Sequence, residues 1–292
     1  MSDLQLWTAL ITPMHPDGSV HFEDLKKLLK RQEDAGNGVL ILGSTGEGIT
    51  FSEEEKREII QFTASQNLKI PIMAGVGGIR LETQLEWIDY CNDLEIDSFL
   101  LVTPLYSKPG RNGQTEWFTE LLNRSRKRCM IYNIPSRTGV KLPPEVLLDV
   151  EEHPNLWAVK EASGSVEEFK TFHEKLPKLP LFSGDDALLP EFATVGCAGL
   201  VSVAANVWPK ETNLYVKKCL SGNTENLKPL WNEAIKALFS APNPIPAKML
   251  LYSKKEITYS TLRPPLTERD LSDSSHLRDI DRAVGEWFLN NK

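Results

Sequence analysis

A lysine at the end of an apolar run is the residue of this sequence best suited to chemistry. The mostly apolar residues 156–159 lead directly into Lys160, and a turn of small and polar residues, 161–163, follows. Such a run is typical of a strand that is buried on both faces. Burial lowers the pKa of a lysine amine, and a neutral amine attacks a carbonyl group to form a Schiff base. Two structural alternatives stay open, because Lys160 could reach solvent at the strand end or pair with Glu161.

Hydroxyl and cationic side chains follow several other apolar runs. They are Ser44 and Thr45 in the glycine-rich turn 43–48, Tyr106, Tyr132 and Arg137. Tyrosine and serine hydroxyls within hydrogen-bond reach of each other can relay the protons that carbonyl addition requires. Thr45 and its neighbouring amides suit a substrate carboxylate, and Arg137 offers a planar fork for a second one. These residue types predict chemistry on keto acids that requires no metal ion.

Two adjacent acids, Asp185 and Asp186, follow the seventh apolar run. The pair indicates either acid–base or metal chemistry, or the cap of a helix. The five histidines and four cysteines are scattered along the chain without a C-x-x-C pair. We therefore predict no metal site, and we expect reduced thiols in a cytoplasmic protein.

Composition excludes several classes of partner. The net charge of −7 argues against binding to nucleic acid. The first residues lack the basic start and apolar core of a signal peptide, and no apolar run is long enough to span a membrane.

Short apolar runs alternate with amphipathic segments over the first two thirds of the chain. The runs lie near 6–12, 38–43, 70–76, 98–103, 129–134, 156–160, 180–183 and 199–205. Regular βα alternation predicts a parallel sheet, and eight such units favour a closed (β/α)8 TIM barrel. An open doubly wound sheet is the alternative, but the first βα turn lacks the G-x-G-x-x-G fingerprint. In a barrel, the ends of all strands meet at one mouth, so the residues named above would converge there.

The pattern changes near residue 222. Helical segments near 209–220, 224–240, 244–253 and 268–289, separated by prolines, occupy the remainder. We predict a catalytic barrel over 1–222 and a C-terminal helical region over 223–292 that packs on it.

Four segments resemble the 4-hydroxy-tetrahydrodipicolinate synthase (dihydrodipicolinate synthase) family, within the superfamily of pyruvate aldolases that includes N-acetylneuraminate lyase. The segments are 43–47, 132–139, 159–161 and 183–186, and Tyr-Asn-x-Pro-x-Arg-Thr-Gly is the most specific motif. The resemblance implies a lyase of diaminopimelate and lysine biosynthesis that condenses pyruvate with L-aspartate 4-semialdehyde. It further implies a homotetramer, a dimer of dimers, without a cofactor.

The resemblance also implies a role for each matching residue. Lys160 would form an imine with pyruvate, and Ser44, Tyr132 and Tyr106 would relay protons, with Tyr106 entering from a neighbouring subunit. Thr45 would bind the pyruvate carboxylate and Arg137 the carboxylate of the semialdehyde. The remaining implied contacts, Gly184 and Val201, would line the pyruvate pocket.

Three departures from the family pattern affect these expectations. Ser44 stands where threonine is usual, which retains the hydroxyl but loses the stiffness of a β-branched side chain. Leu105 replaces a tyrosine that many members stack across a subunit interface, which leaves the strength of that contact open. Lys56 would meet a lysine ligand as a like charge, so we predict weak or absent feedback inhibition by lysine.

Two other functions remain as alternatives. A related aldolase would cleave a 2-keto-3-deoxy sugar acid or sialic acid, although such enzymes rarely have an arginine at the position of Arg137. A non-catalytic barrel would have no need of an intact Lys160, Tyr132 and Tyr106.

Overall fold

Eight parallel strands close into a barrel in a computed structural model that describes residues 4–224 and 227–292. The strands β1–β8 are Leu6–Ala9, Gly38–Ile41, Ile72–Val76, Ser98–Val102, Arg128–Asn133, Leu156–Glu161, Leu181–Ser183 and Gly199–Ser202. Each strand pairs with the next along the chain, and β1 pairs with β8. The predicted (β/α)8 barrel is therefore confirmed, and the open doubly wound sheet is excluded.

Helices connect the strands and continue beyond the last of them. Within the described residues, α1–α12 are Phe22–Ala35, Glu53–Ser65, Leu81–Asn92, Arg111–Arg124, Pro135–Thr138, Pro144–Val150, Val166–Lys175, Leu189–Ala193, Pro209–Leu220, Leu227–Leu238, Ile245–Ser253 and Ser275–Asn291. None of these helices has both the length and the apolar character needed to cross a membrane. The helix α2 begins directly after Ser52, because Ser52 and Glu55 form a reciprocal capping box.

The strands separate two apolar layers, one inside the barrel and one outside it, because successive side chains of a strand point to opposite faces. One layer fills the inside of the barrel and includes Trp7, Leu40, Met130, Ala158 and Val201. The other lies between the strands and the helices, and it contains the alternate strand residues such as Val39, Ile131 and Val159 together with the apolar faces of the helices. Lys160 follows Val159 and therefore points into the barrel.

The C-terminal helices α10–α12 pack on the outside of the barrel and on one another. The predicted segment 224–240 includes residues 225 and 226, which lie outside the described residues, and its described part forms α10. The predicted segment 268–289 begins later than expected, because Asp273 accepts hydrogen bonds from the backbone and side chain of Ser275 and thereby starts α12 there. The division into 1–222 and 223–292 remains our proposal.

Candidate active site

Lys160 lines a large cavity and is almost completely buried. It is the fifth residue of β6, and only 5% of its surface is exposed. Its Nζ lies 4.0 Å from the centre of the Tyr132 ring. Burial lowers the pKa of Lys160 to about 7, while the charges of Asp185 and Asp186 act in the opposite direction. The amine is thus poised between its neutral and charged forms near neutral pH.

Neither structural alternative for Lys160 is realised. The side chain does not reach bulk solvent, and its neighbour Glu161 is engaged elsewhere. One carboxylate oxygen of Glu161 accepts a hydrogen bond of 2.6 Å from the Asn133 side chain, and the other accepts one of 2.6 Å from the Ser163 amide. The amine of Lys160 is therefore not paired with Glu161 and can react with a molecule in the cavity.

Tyr132 lies beside Lys160 because the two residues are register partners on adjacent strands β5 and β6. Burial raises the pKa of the Tyr132 phenol, whereas the charge of Arg137 and the hydroxyl of Ser44 oppose that rise. Arg137 follows β5 on the short helix α5, and Ser44 follows β2. Phenol, hydroxyl, amine and guanidinium thus meet at the carboxyl ends of the strands, as the sequence predicts.

The cavity has a volume of about 1040 Å³ and contains five of the eight predicted site residues in its wall: Ser44, Tyr106, Tyr132, Arg137 and Lys160. The other three are not part of that wall. Thr45 is buried, and its hydroxyl accepts a hydrogen bond from Asn243. A Cβ on Gly184 would lie 2.8 Å from the Cε of Lys160, so the glycine leaves room for the lysine. Val201 belongs to the apolar layer inside the barrel.

Tyr106 stands at the mouth of the cavity rather than inside it. Its side chain is 88% exposed, and its backbone has a φ of 66°, in the left-handed region that is uncommon for tyrosine. The amide of Tyr106 donates a hydrogen bond of 3.3 Å to the carbonyl of Thr138, which fixes the loop after β4 to that after β5. Within one chain, the Tyr106 side chain thus lines the rim of the cavity and stays largely exposed to solvent.

The acidic pair Asp185 and Asp186 accepts hydrogen bonds from backbone amides. Asp186 accepts hydrogen bonds from the amides of Val203 and Ala204, at 3.0 and 3.3 Å, and from the Ser202 hydroxyl. Asp185 accepts one of 3.2 Å from the Gly164 amide. In the part of the chain that the structure describes, no three potential metal ligands of the His, Cys, Asp or Glu type cluster together.

The glycine-rich turn is locked by a buried ion pair that sequence reasoning missed. Glu47 has a φ of 55° and forms a salt bridge of 2.6 Å with Lys248, whose side chain is fully buried. The second oxygen of Glu47 accepts a hydrogen bond of 2.9 Å from the Arg263 amide, and Lys248 also donates to the Thr261 carbonyl at 2.8 Å. The turn that bears Ser44 is thus anchored to the C-terminal region.

Part of the cavity wall comes from the same C-terminal region. Pro242 and Asn243 precede α11, and Pro265 and Leu266 follow it; all four line the cavity. The signals for this contribution are the prolines at 242, 244 and 246 and a lone lysine, Lys248, in an otherwise apolar helix. The prolines and the lysine are visible in the sequence, but the sequence does not show which residues they contact.

Comparison with known proteins shows to which family the chain belongs. The sequence model of the Dihydrodipicolinate synthetase family matches residues 3–283. The chain belongs to this family. A 4-hydroxy-tetrahydrodipicolinate synthase from Francisella tularensis subsp. novicida is 48% identical over 285 residues, which are 97% of this chain and 97% of the relative. The predicted family, and with it the prediction of an enzyme, is confirmed.

Solved structures of the dihydrodipicolinate synthetase family have the same fold. The dihydrodipicolinate synthase from Aquifex aeolicus superposes with a TM-score of 0.91 at 29% identity, covering 97% of this chain and 98% of that one. The chloride-inhibited dihydrodipicolinate synthase from Acinetobacter baumannii, in complex with pyruvate, gives a TM-score of 0.90 at 31% identity, covering 97% and 99%.

Proposed function

We propose that the protein condenses pyruvate with L-aspartate 4-semialdehyde to 4-hydroxy-tetrahydrodipicolinate, a step of diaminopimelate and lysine biosynthesis. The observation that supports it most directly is a buried amine with a pKa near 7, in contact with the ring of a tyrosine, in a cavity that the Arg137 guanidinium also lines. The relatives bear the name of this synthase, and one solved neighbour holds pyruvate.

The reaction proceeds through covalent intermediates on Lys160. Its neutral Nζ adds to the keto carbon of pyruvate, and loss of water gives an imine. Removal of a proton from the methyl group gives an enamine, whose carbon attacks the aldehyde of the semialdehyde. The amino group of the semialdehyde then adds to the imine carbon and displaces Lys160, which closes the ring. No group other than the chain's own amine is required to hold these intermediates.

Ser44, Tyr132 and Tyr106 form the proton relay of this proposal. Tyr132 is already next to Lys160 and Ser44. The Tyr106 side chain is largely exposed in a single chain, which supports its insertion into the site of a neighbouring subunit. We therefore propose that the enzyme works as a homotetramer, a dimer of dimers, in which each pair of sites exchanges Tyr106.

The remaining residues bind the two substrates. Thr45 binds the pyruvate carboxylate, Gly184 and Val201 shape the pocket around Lys160, and Arg137 binds the carboxylate of the semialdehyde. We place the enzyme in the cytoplasm, because its four cysteines are free and buried, as suits a reducing compartment.

Lys160 should react faster as the pH rises towards neutrality. Its amine has a pKa of about 7, and only the neutral form attacks pyruvate. We expect the rate of adduct formation to rise by about tenfold per pH unit below pH 6 and to level off above pH 8. Stopped-flow trapping at low pyruvate concentration measures this rate. A rate that keeps rising to pH 10 would show an unperturbed lysine.

Substitution of Arg137 tests the choice of second substrate. In a coupled assay with pyruvate and aspartate semialdehyde, we expect Arg137→Ala to raise the KM of the semialdehyde by about 10- to 100-fold, because a charge-assisted hydrogen bond is lost. Arg137→Lys should restore only part of the affinity for the semialdehyde, since an ammonium cannot form the bidentate contact. The exposed Arg126, which pairs with Asp93 on the surface, provides the control variant Arg126→Ala.

The same assay distinguishes the alternative functions. Turnover of the semialdehyde that is lost in Arg137→Ala supports the synthase. Cleavage of a 2-keto-3-deoxy sugar acid or sialic acid without turnover of the semialdehyde would make the protein a related aldolase. A barrel that neither turns over substrate nor forms an adduct with pyruvate would be non-catalytic.

A further inference from the structure

The hydroxyl of Thr45 is held by a residue nearly two hundred positions away in the sequence. The side-chain amide of Asn243 donates a hydrogen bond of 2.9 Å to the Thr45 Oγ1, and both residues are buried. Asn243 itself lines the cavity that contains Lys160 and Ser44. This contact links the glycine-rich turn after β2 to the segment that precedes α11.

Two polar groups beside this hydrogen bond lack a partner. Thr45 uses its oxygen as an acceptor, and among the described residues nothing accepts a hydrogen bond from its hydroxyl. The amide oxygen of Asn243 is buried and has no partner within residues 4–224 and 227–292 either. A buried hydroxyl without an acceptor is costly, so the hydroxyl hydrogen of Thr45 is available for a ligand that supplies an acceptor.

The direction of the hydrogen bond decides what Thr45 can bind. When the amide of Asn243 donates, the hydroxyl hydrogen of Thr45 stays free for a carboxylate. When the side chain at position 243 accepts instead, the same hydrogen is consumed and the hydroxyl offers a ligand only lone pairs, which repel a carboxylate. The side chain at position 243 therefore controls whether Thr45 presents a donor or an acceptor to the ligand.

We propose that Asn243 is a positioning residue, which fixes the Thr45 hydroxyl as a hydrogen-bond donor to the carboxylate of pyruvate. This inference rests on the proposed function, because it takes pyruvate as the ligand and Thr45 as its carboxylate contact. It adds a residue of the C-terminal region to the substrate site of the barrel.

The test measures pyruvate binding without the second substrate. Pyruvate is titrated against the protein in the presence of borohydride, and the concentration that gives half-maximal modification of Lys160 is determined. We expect Asn243→Ala to raise that concentration by roughly three- to tenfold, because the hydroxyl loses its fixed direction. Asn243→Asp should raise it by more than roughly tenfold, since a carboxylate accepts from Thr45 and turns its hydrogen away.

A second set of variants separates this role from a structural one. In a Thr45→Val background there is no hydroxyl to direct, so Asn243→Ala should change pyruvate binding by less than about twofold. Equal effects of Asn243→Ala with and without the Thr45 hydroxyl would overturn the inference. So would a rise confined to the KM of the semialdehyde. Asn213→Ala serves as the control, because it removes a partly buried amide contact to Asn37 at a site that does not line the cavity.

The experiment also keeps the two proposals apart. A wild-type protein that traps pyruvate but does not turn over the semialdehyde would contradict the proposed function, and the variants of Asn243 would still be decided by trapping. A wild-type protein that traps no pyruvate would overturn both. Melting temperatures of all variants show whether a change in binding reflects loss of the fold.

Discussion

We expect Lys160→Met to lose kcat by at least about 10³-fold and to form no adduct with pyruvate, because the nucleophile is removed. Methionine is close to lysine in volume and has no charge, so the barrel interior should remain filled. Activity is measured in the coupled assay and adduct formation by mass spectrometry. A variant with more than a few per cent of the wild-type turnover would contradict the role assigned to Lys160.

The same variant should be more stable than the wild type at neutral and lower pH. The pKa of Lys160 is 10.5 in the unfolded chain and about 7 in the fold, so between these values the unfolded state binds more protons. The contribution of Lys160 to the unfolding free energy of the wild type therefore rises with pH over this window. This contribution is lowest below pH 7. We expect the advantage of Lys160→Met, measured by urea denaturation, to shrink as the pH rises from 7 to 10.5.

The second large effect concerns the ion pair beneath the glycine-rich turn. We expect Lys248→Met to lower the free energy of unfolding by about 3–5 kcal/mol, because it leaves the Glu47 carboxylate buried without its partner. Urea denaturation followed by circular dichroism measures the loss. A change below about 1 kcal/mol would show that Glu47 finds another partner or becomes neutral at little cost.

A double variant and a surface control complete this test. Adding Glu47→Gln to Lys248→Met removes the orphaned charge, so stability should recover in part. Lys30→Met serves as the control, since Lys30 pairs with Glu33 and Asp34 on an exposed helix surface and should matter little. The double variant should still bind pyruvate more weakly than the wild type, because the turn that bears Ser44 has lost its anchor.

The barrel and the centre of its site could be predicted because they depend on local patterns. Buried parallel strands are short apolar runs, and the strand ends of a barrel meet at one mouth. Lys160 and Tyr132 were therefore expected near each other, and their register pairing on β5 and β6 confirms it. Arg137 joined them because it follows the same strand as Tyr132.

The contacts from the C-terminal region could not be predicted from the sequence. Asn243 and Lys248 reach Thr45 and Glu47 across 198 and 201 residues, and no local periodicity specifies such pairs. The sequence also predicts an earlier start for α12, because the helical pattern of this run begins before Ser275, where the α-helix starts. The position of Tyr106 in an assembled enzyme depends on a second chain and remains a prediction.

One covalent bond, between Lys160 and pyruvate, is central to the proposed function. The measurement that tests it directly is borohydride reduction of the wild-type protein with pyruvate, followed by digestion and mass spectrometry of the lysine peptides. We predict one reduced pyruvate per chain, on the peptide that contains Lys160. Lys248 is an internal control, because burial lowers the pKa of this lysine too, but Glu47 and Thr261 occupy its amine. An unmodified Lys160 peptide, or modification spread over several lysines, would contradict the account.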